Sequence, residues 1–373
     1  MEKLAIVRVK SKKDLRKFIH FPWRIYKDDP HWVPPLIYDL KERLNREKNP
    51  FFEHAEMDLF LARKNDKITG RIAAIVDENH NQFHEEKIVF FGLYESLNDM
   101  DTAKSLLDKV AEWGRERGMD TLRGPVNLSM NDECAFLIQG FDSPPVIMMP
   151  YNPPYYLELM ENCGLRKAKD LLAFYMTKDH QTAEKIQQIV EKIRRETNIT
   201  LRTLERKTAD KEAEKIKFIY NHAWEKNWGF VPWTEKEMRY MVEKLKMIAD
   251  YSLVILAEDR GKPVGFIFGL PNLNEVFKKM NGRLLPLGIL KFFLYRKKIK
   301  GMRGIVFGVL NEYRGTGLSY VLYSELEKNA QTKGYEWAET SWQLEDNEAI
   351  NRFIASIGGK VYKKYRMYEK RIV

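Results

Sequence analysis

Cysteine is scarce in this chain of 373 residues: Cys134 and Cys163 are the only two. Two cysteines cannot build a disulfide framework, which argues against a small secreted scaffold and for a reducing, cytoplasmic compartment. Long apolar runs are missing as well, and no stretch approaches the roughly 20 residues that a membrane-spanning helix needs. The first residues, Met1 to Lys10, contain no apolar core of about 7–15 residues, so no secretory leader is expected. Acidic residues are in deficit, 53 against 63 Lys and Arg, for a net charge of +10. That surplus favours anionic partners such as a nucleotide cofactor, an acidic substrate, nucleic acid or a membrane surface. The charged residues are spread along the chain, and no zinc-finger or RNA-binding signature is present, so nucleic acid is not an expected partner. Apolar and charged contents of 44% and 31% exclude a wholly disordered or fibrous chain. The length corresponds to about two domains, each large enough for a core.

The chain repeats itself once. Ala62 and Gly70 recur as Ala257 and Gly265 at an offset of 195, each pair within a strand, polar turn, strand pattern. Further on, the apolar run from Ile88 to Gly92 matches that from Gly304 to Gly308 at an offset of 216, which still holds at Gly118 and Gly334. Asn152 and Gly164 return to 195 with Asn347 and Gly359. The change in offset implies an insertion near 276–300 in the second half and one near 132–151 in the first. Each half reads β-α-(α)-β-β-β-α-β-α-β, a mixed, mostly antiparallel sheet flanked by helices in an α/β fold. The expected divisions are 1–178, a helical connector at 179–198, and 199–373. Ile186, Ile189, Val190 and Ile193 fall at helical spacing in the connector.

One loop carries chemistry. An apolar strand ends at Val309-Leu310-Asn311, passes through Glu312-Tyr313-Arg314-Gly315-Thr316-Gly317, and enters a helix beginning Leu318-Ser319-Tyr320. Glycines allow a tight turn and close approach to a ligand. The first N–H groups of a helix lack internal partners and sit at its positive end, which makes the turn an anion site. Arg314 adds charge at its rim. The alternative is an ordinary strand-to-helix turn.

This segment, with the helix to Gly334, the strand 337–342 and Asp346-Asn347-Glu348-Ala349-Ile350, resembles the GNAT superfamily of N-acetyltransferases, here as a bacterial tandem protein whose first repeat is degenerate. The family pattern R-x-x-G-x-G/A maps onto Arg314, Gly317 and Ser319, with serine departing in the last slot. The resemblance implies that acetyl-CoA or another acyl-CoA binds between splayed strands holding 309–311 and 339–342. Its pyrophosphate would lie on the backbone of Arg314, Gly315, Thr316, Gly317, Leu318 and Ser319. Its pantetheine would pair with the strand edge at Val309 and Leu310, and Asn347 would contact the cofactor arm. Phe353 stands where the family often has a tyrosine that protonates the leaving thiolate. The strand 305–308 carries no carboxylate, which leaves Glu339 and Glu312 as candidate bases, and Tyr362, Tyr365 or Tyr368 as candidate acids. Solvated strand ends, ion pairs and ring packing are the alternatives for these residues.

Carried back by 216, the loop falls on Asn98-Asp99-Met100-Asp101, without glycine and with two carboxylates. Like charge opposes a pyrophosphate, so the first repeat is expected to keep the shape without binding CoA in the usual way. Its stretch 123–156, dense in proline, amides and aromatics, reads as a binding surface or a packing loop. Cys134 has no positional support as a nucleophile. His80 and His84 have helical ligand spacing, but their Asn- and Gln-rich surroundings point to solvated histidines and no metal. The apolar run from Leu284 to Tyr295, followed by Arg296-Lys297-Lys298, reads as a buried helix, an apolar acceptor pocket, a homodimer contact, or a membrane-surface helix over 284–298.

The leading functional expectation is an acyl-CoA-dependent N-acyltransferase, with acetyl transfer to a small-molecule or peptide amine. The alternatives are a Fem-type aminoacyl transferase using aminoacyl-tRNA, and a non-catalytic CoA-binding or partner-binding module.

Overall fold

The computed structural model describes residues 4–177 and 184–373, so residues 179–183 of the expected connector lie outside the described residues. In chain order, β1 (Leu4–Arg8) precedes α1 (Lys12–His20), α2 (Pro22–Ile25) and α3 (Ile37–Arg43). The hairpin β2 (Ala55–Lys64) and β3 (Lys67–Asp77) leads through α4 (Glu78–His84) to β4 (Ile88–Ser96) and α5 (Met100–Arg115). Next come β5 (Thr121–Gly124), β6 (Phe136–Gln139), α6 (Tyr155–Asn162) and β7 (Arg166–Thr177). The second series runs α7 (Glu184–Glu196), β8 (Ile199–Thr203), α8 (Ala209–Trp224), α9 (Glu235–Leu245), β9 (Val254–Asp259) and β10 (Lys262–Pro271). It continues with α10 (Asn274–Met280), α11 (Leu287–Tyr295), β11 (Gly301–Val309), α12 (Leu318–Lys333), β12 (Trp337–Leu344), α13 (Glu348–Ser356) and β13 (Lys360–Arg371).

The chain divides into two units. The first holds Met1–Leu171, Phe277–Phe292 and Lys363–Val373, and the second holds Leu172–Val276 and Phe293–Tyr362. Two segments of the second half therefore join the first unit, which differs from a simple division after 178. Non-local pairing is the reason. β13 pairs antiparallel with β5 at Tyr368↔Gly124 and with β6 at Tyr365↔Leu137. The 277–292 segment is tied by Ile37 N–H to the Gly282 carbonyl at 3.0 Å and by Trp23 Nε1 to Asn281 Oδ1 at 3.0 Å.

Each unit shows the same plan. In the first, β1-β2-β3-β4 run antiparallel and β5 joins β4 in parallel. In the second, β8-β9-β10-β11 run antiparallel and β12 joins β11 in parallel. The repeated Ala and Gly are cross-strand partners in both hairpins, Ala62↔Gly70 and Ala257↔Gly265. A Cβ on Gly70 would stand 2.7 Å from Leu106 Cδ1, and one on Gly265 would stand 3.2 Å from Leu322 Cδ1. Leu106 and Leu322 are themselves 216 apart. The glycine is thus the seat on which the long helix, α5 or α12, lies against its sheet.

Helix α12 buries Leu318, Val321, Leu322, Leu326 and Ala330 at helical spacing. Helix α7 adds Ile186, Val190 and Ile193 to the same core. A second core gathers Ile219, Tyr220 and Ala223 of α8 against Leu256 and Phe266. His80 departs from expectation. It is buried, not solvated, with its ring edge-on to Phe90 and Nε2 3.2 Å from Glu86 Oε2. Burial lowers its proton affinity. The turn residues around it do not expose it because Asn81 is spent pinning Ile88 through both backbone groups.

Candidate active site

The two parallel strands of the second unit part company. β11 and β12 pair only from Gly301↔Trp337 to Gly304↔Thr340. Past that point β11 continues beside β10, as far as Gly265↔Val309, and among the described residues no strand pairs with its other edge. Alternation decides which residues face the opening. Leu310 N–H donates to the Val264 carbonyl at 3.0 Å. Val309 and Phe307, being one and three residues away, therefore turn their backbone groups toward the open edge. This corrects the pairing expected at Val309 and Leu310: Leu310 is committed to β10, and the two edge residues are Phe307 and Val309. The period of two in the sequence was the signal for Phe307. Their carbonyls already accept, Phe307 from Trp224 Nε1 at 3.0 Å and Val309 from Arg314 Nε at 3.4 Å. Arg314 Nη2 also donates to the Ala223 carbonyl at 2.6 Å. Its guanidinium thus braces the strand end against α8 instead of standing free at the rim.

The loop that follows is held from below. Tyr313 OH donates to Asp259 Oδ2 at 2.7 Å, a bond to a carboxylate that raises the phenol pKa. Thr316 Oγ1 donates to the Tyr313 carbonyl at 2.8 Å. Asn311 is exposed and opens the turn, with its carbonyl accepting from Arg314 N–H at 3.1 Å. Gly315 and Gly317 have φ of +77° and +90°, a region that costs any residue with a Cβ. Gly317 is the N-cap of α12, and Leu318 is fully buried beneath it. Among the described residues, the N–H groups of Gly315, Thr316, Gly317 and Ser319 have no acceptor. Four unpaired donors in one turn, at the positive end of a 16-residue helix, form a cradle for an anion. A Cβ on Gly315 would meet nothing within 4 Å, whereas one on Gly317 would stand 2.4 Å from Ile193 Cδ1 and 3.1 Å from Ile189 Cγ2. One side of the turn is therefore open and the other is closed by α7. These donors suit an anionic group such as a diphosphate.

Of the acid and base candidates, Glu339 lies beside the opening. It is fully buried on β12, one residue before the last paired position. Tyr362 OH donates to its Oε2, while Oε1 has no hydrogen-bond partner among the described residues. Tyr175 tilts against Tyr362 at 5.4 Å and stacks on Trp337 at 5.6 Å. Two residues beyond Glu339, buried Ser341 receives Arg303 Nε on its Oγ at 3.0 Å and Arg303 Nη2 on its carbonyl at 3.2 Å. Arg303 pairs in register with Glu339, so the cation and the carboxylate are neighbours on the two strands where they separate. No pattern in the sequence marks Arg303 or Ser341, because their burial follows from strand pairing alone.

Glu312 is exposed in the turn and, among the described residues, has no hydrogen-bond or ion-pair partner. Tyr365 is fully buried opposite Leu137 in the first unit, and Tyr368 faces Gly124 there, so the tyrosine that meets Glu339 is Tyr362. Asn347 caps α13, accepting from Ile350 N–H at 3.4 Å. Phe353 stacks on Phe307 at 5.7 Å and carries Tyr320 edge-on at 5.1 Å. Tyr320 OH shares a hydrogen bond with Ser356 Oγ at 3.1 Å. It is a phenol just past the loop that no motif in the sequence marks.

The first unit is an internal control. Phe91 and Leu93 stand 216 residues before Phe307 and Val309. There the chain itself fills the edge: Val126 N–H donates to the Phe91 carbonyl at 2.8 Å, and Asn127 Oδ1 accepts from Leu93 N–H at 2.8 Å. A Cβ on Gly92 would stand 1.8 Å from the Val126 carbonyl oxygen. At the position of the glycine loop, Asp99 is paired with Lys64 at 2.7 Å.

No known family profile matches the sequence. Among solved structures, the fold resembles a tandem GNAT protein from the clavulanic acid biosynthesis pathway, covering 100% of this chain and 99% of that one, with a TM-score of 0.60 and 12% identity. It also resembles a GCN5-related N-acetyltransferase from Sphaerobacter thermophilus, covering 99% and 96%, with a TM-score of 0.53 and 14% identity. These likenesses establish the fold, which is one that supports acyl transfer. Two curated proteins are closer in sequence. Protein YghO of Escherichia coli is 35% identical over 97% of this chain and 94% of its own length. The bacterial ceramide synthase of Caulobacter vibrioides is 35% identical over 99% and 98%. The chain carries a tandem GNAT fold and belongs to the family of these two proteins.

Proposed function

We propose that the protein is an acyl-CoA-dependent N-acyltransferase whose second repeat holds the acyl-CoA and whose acceptor is the amine of a sphingoid-type long-chain base. The observation that carries the reading is the turn of four unpaired N–H groups beside an unpaired strand edge, absent from the first repeat. The acceptor class comes from the relative named for ceramide synthesis, which is matched along almost its whole length.

The CoA thioester supplies an activated acyl carbon. Gly315, Thr316, Gly317 and Ser319 would hold the diphosphate through their N–H groups, and Phe307 and Val309 would align the arm along the strand edge. The neutral amine attacks the thioester carbon, and Glu339 Oε1 accepts the proton its nitrogen loses as the C–N bond forms and the C–S bond breaks, the electron pair leaving on the thiolate. Tyr362 holds that carboxylate in place through its hydrogen bond, and Arg303 is its register neighbour on the paired strand. Tyr320, edge-on to Phe353, would return a proton to the departing thiolate.

The test is turnover of a sphingoid base with acyl-CoAs from acetyl to palmitoyl, read by thiol release and by mass of the amide. Glu339→Gln is expected to lower kcat about 100-fold or more while CoA still binds. CoA binding without thiol release from any amine would make the protein an acyl-CoA-binding module instead.

A further inference from the structure

The apolar run of the second-half insertion is not a core helix. Among the described residues, twelve large hydrophobic side chains are strongly exposed, and six of them lie between Leu285 and Leu294. Leu287, Leu290 and Leu294 are 64%, 57% and 58% exposed and follow one another at i, i+3 and i+7. Ile289 and Phe293 widen the stripe at i, i+4. Only Gly288 is buried within α11, where a Cβ would stand 2.0 Å from the Arg283 carbonyl oxygen. The helix therefore leans on the chain through its backbone and turns its apolar face outward, the reverse of an ordinary surface helix.

Charge is concentrated at the same place. Residues 276–300 contain eight Lys and Arg and no Asp or Glu, so this segment carries eight of the ten net positive charges. The charged residues are spread along the chain, but the imbalance between them is not. Arg283 and Lys297 are exposed and, among the described residues, make no ion pair, and Lys298 lies 5.7 Å from the Tyr295 ring. The base of the segment is fixed: Lys278 Nζ donates to the Pro30 carbonyl, Gly282 accepts from Ile37, and Asn281 accepts from Trp23. At nine residues α11 is roughly 13 Å long, far short of the roughly 30 Å apolar core of a bilayer.

We infer that α11 docks the protein on an anionic phospholipid surface. Leu287, Leu290, Phe293 and Leu294 enter the boundary between headgroups and acyl chains, and Arg283, Lys297 and Lys298 face the phosphates. Lys300 is paired with Glu336 at 3.0 Å at the far end of the segment, but the apolar face itself is flanked by the exposed cations Arg283, Lys297 and Lys298, the pattern that lies in a membrane interface without crossing it. The inference does not depend on the acyl-transfer reading.

Vesicle sedimentation of the full chain tests it, with vesicles of phosphatidylcholine alone and with about one-third phosphatidylglycerol. The chain is expected to pellet with the anionic vesicles and to be released by salt. Leu290→Glu with Phe293→Glu is expected to weaken partitioning by about tenfold or more for each side chain. Lys297→Glu with Lys298→Glu is expected to remove the preference for phosphatidylglycerol. Both pairs are exposed, so circular dichroism should show unchanged folding. Failure to pellet at low salt, or equal pelleting of Leu290→Glu/Phe293→Glu, would overturn the inference. So would light scattering that shows a dimer which this double variant splits, with no vesicle binding, because the face would then belong to a second copy.

Discussion

Gly317→Ala probes the turn most directly. The residue has φ of +90°, and forcing a Cβ into that region costs about 1–2 kcal/mol. The new Cβ would also stand 2.4 Å from Ile193 Cδ1, so the α7 side chain must move, at a further cost of about 1–2 kcal/mol. Together the change should lower the melting temperature of the second unit by about 5–12 °C. It should also weaken CoA binding, because the Gly317 and Ser319 N–H groups rotate away from a shared anion. Gly315→Ala gives the contrast. Its φ of +77° brings the strain, but nothing stands within 4 Å, so only the first cost applies. Ile193→Val removes the colliding atom at a cost of about 0.5–1.5 kcal/mol on its own. The double variant Ile193→Val/Gly317→Ala should then be more stable than the sum of its parts by about 1 kcal/mol. Urea unfolding followed by tryptophan fluorescence and titration calorimetry with CoA measure the two effects. Strict additivity in the cycle, or equal losses for Gly315→Ala and Gly317→Ala, would refute the packing of α7 against the turn.

Two further outcomes test the first unit. Gly92→Ala should destabilise it by about 3 kcal/mol or more, since its Cβ would meet a backbone carbonyl that cannot rotate aside; a melting temperature within error of the parent would show that the 125–127 segment does not fill the strand edge. Glu86 is held near a pKa of about 2 by its hydrogen bond with His80 and by Arg123, below the usual 4.5. A carboxyl depressed on folding stabilises fully above its unfolded pKa and loses that contribution as pH falls through the folded one. The urea midpoint should therefore drop between about pH 4.5 and 2, and Glu86→Gln should flatten that slope; an unchanged slope would count against the pairing.

The sequence was enough for the duplication, the strand-to-helix turn with its two glycines, and the carboxylates that stand at the same place in the first repeat. Each of these depends on local geometry: the period of a strand, the left-handed backbone that glycine permits, and the charge of neighbouring residues. It was also enough to mark 284–298 as unusual, through its run of apolar residues ending in three cations. The sequence did not say which way that helix faces. A stripe of leucines is equally consistent with burial and exposure until it is known whether another element covers it. Nor could it choose among the tyrosines of β13. Tyr362 meets Glu339 and Tyr365 enters the first unit because one strand contributes to both units, and that pairing joins residues more than 200 apart in the chain. The buried Arg303 and Ser341 are of the same kind. Their environment comes from where two parallel strands separate, a property of the assembled sheet that no window of sequence contains.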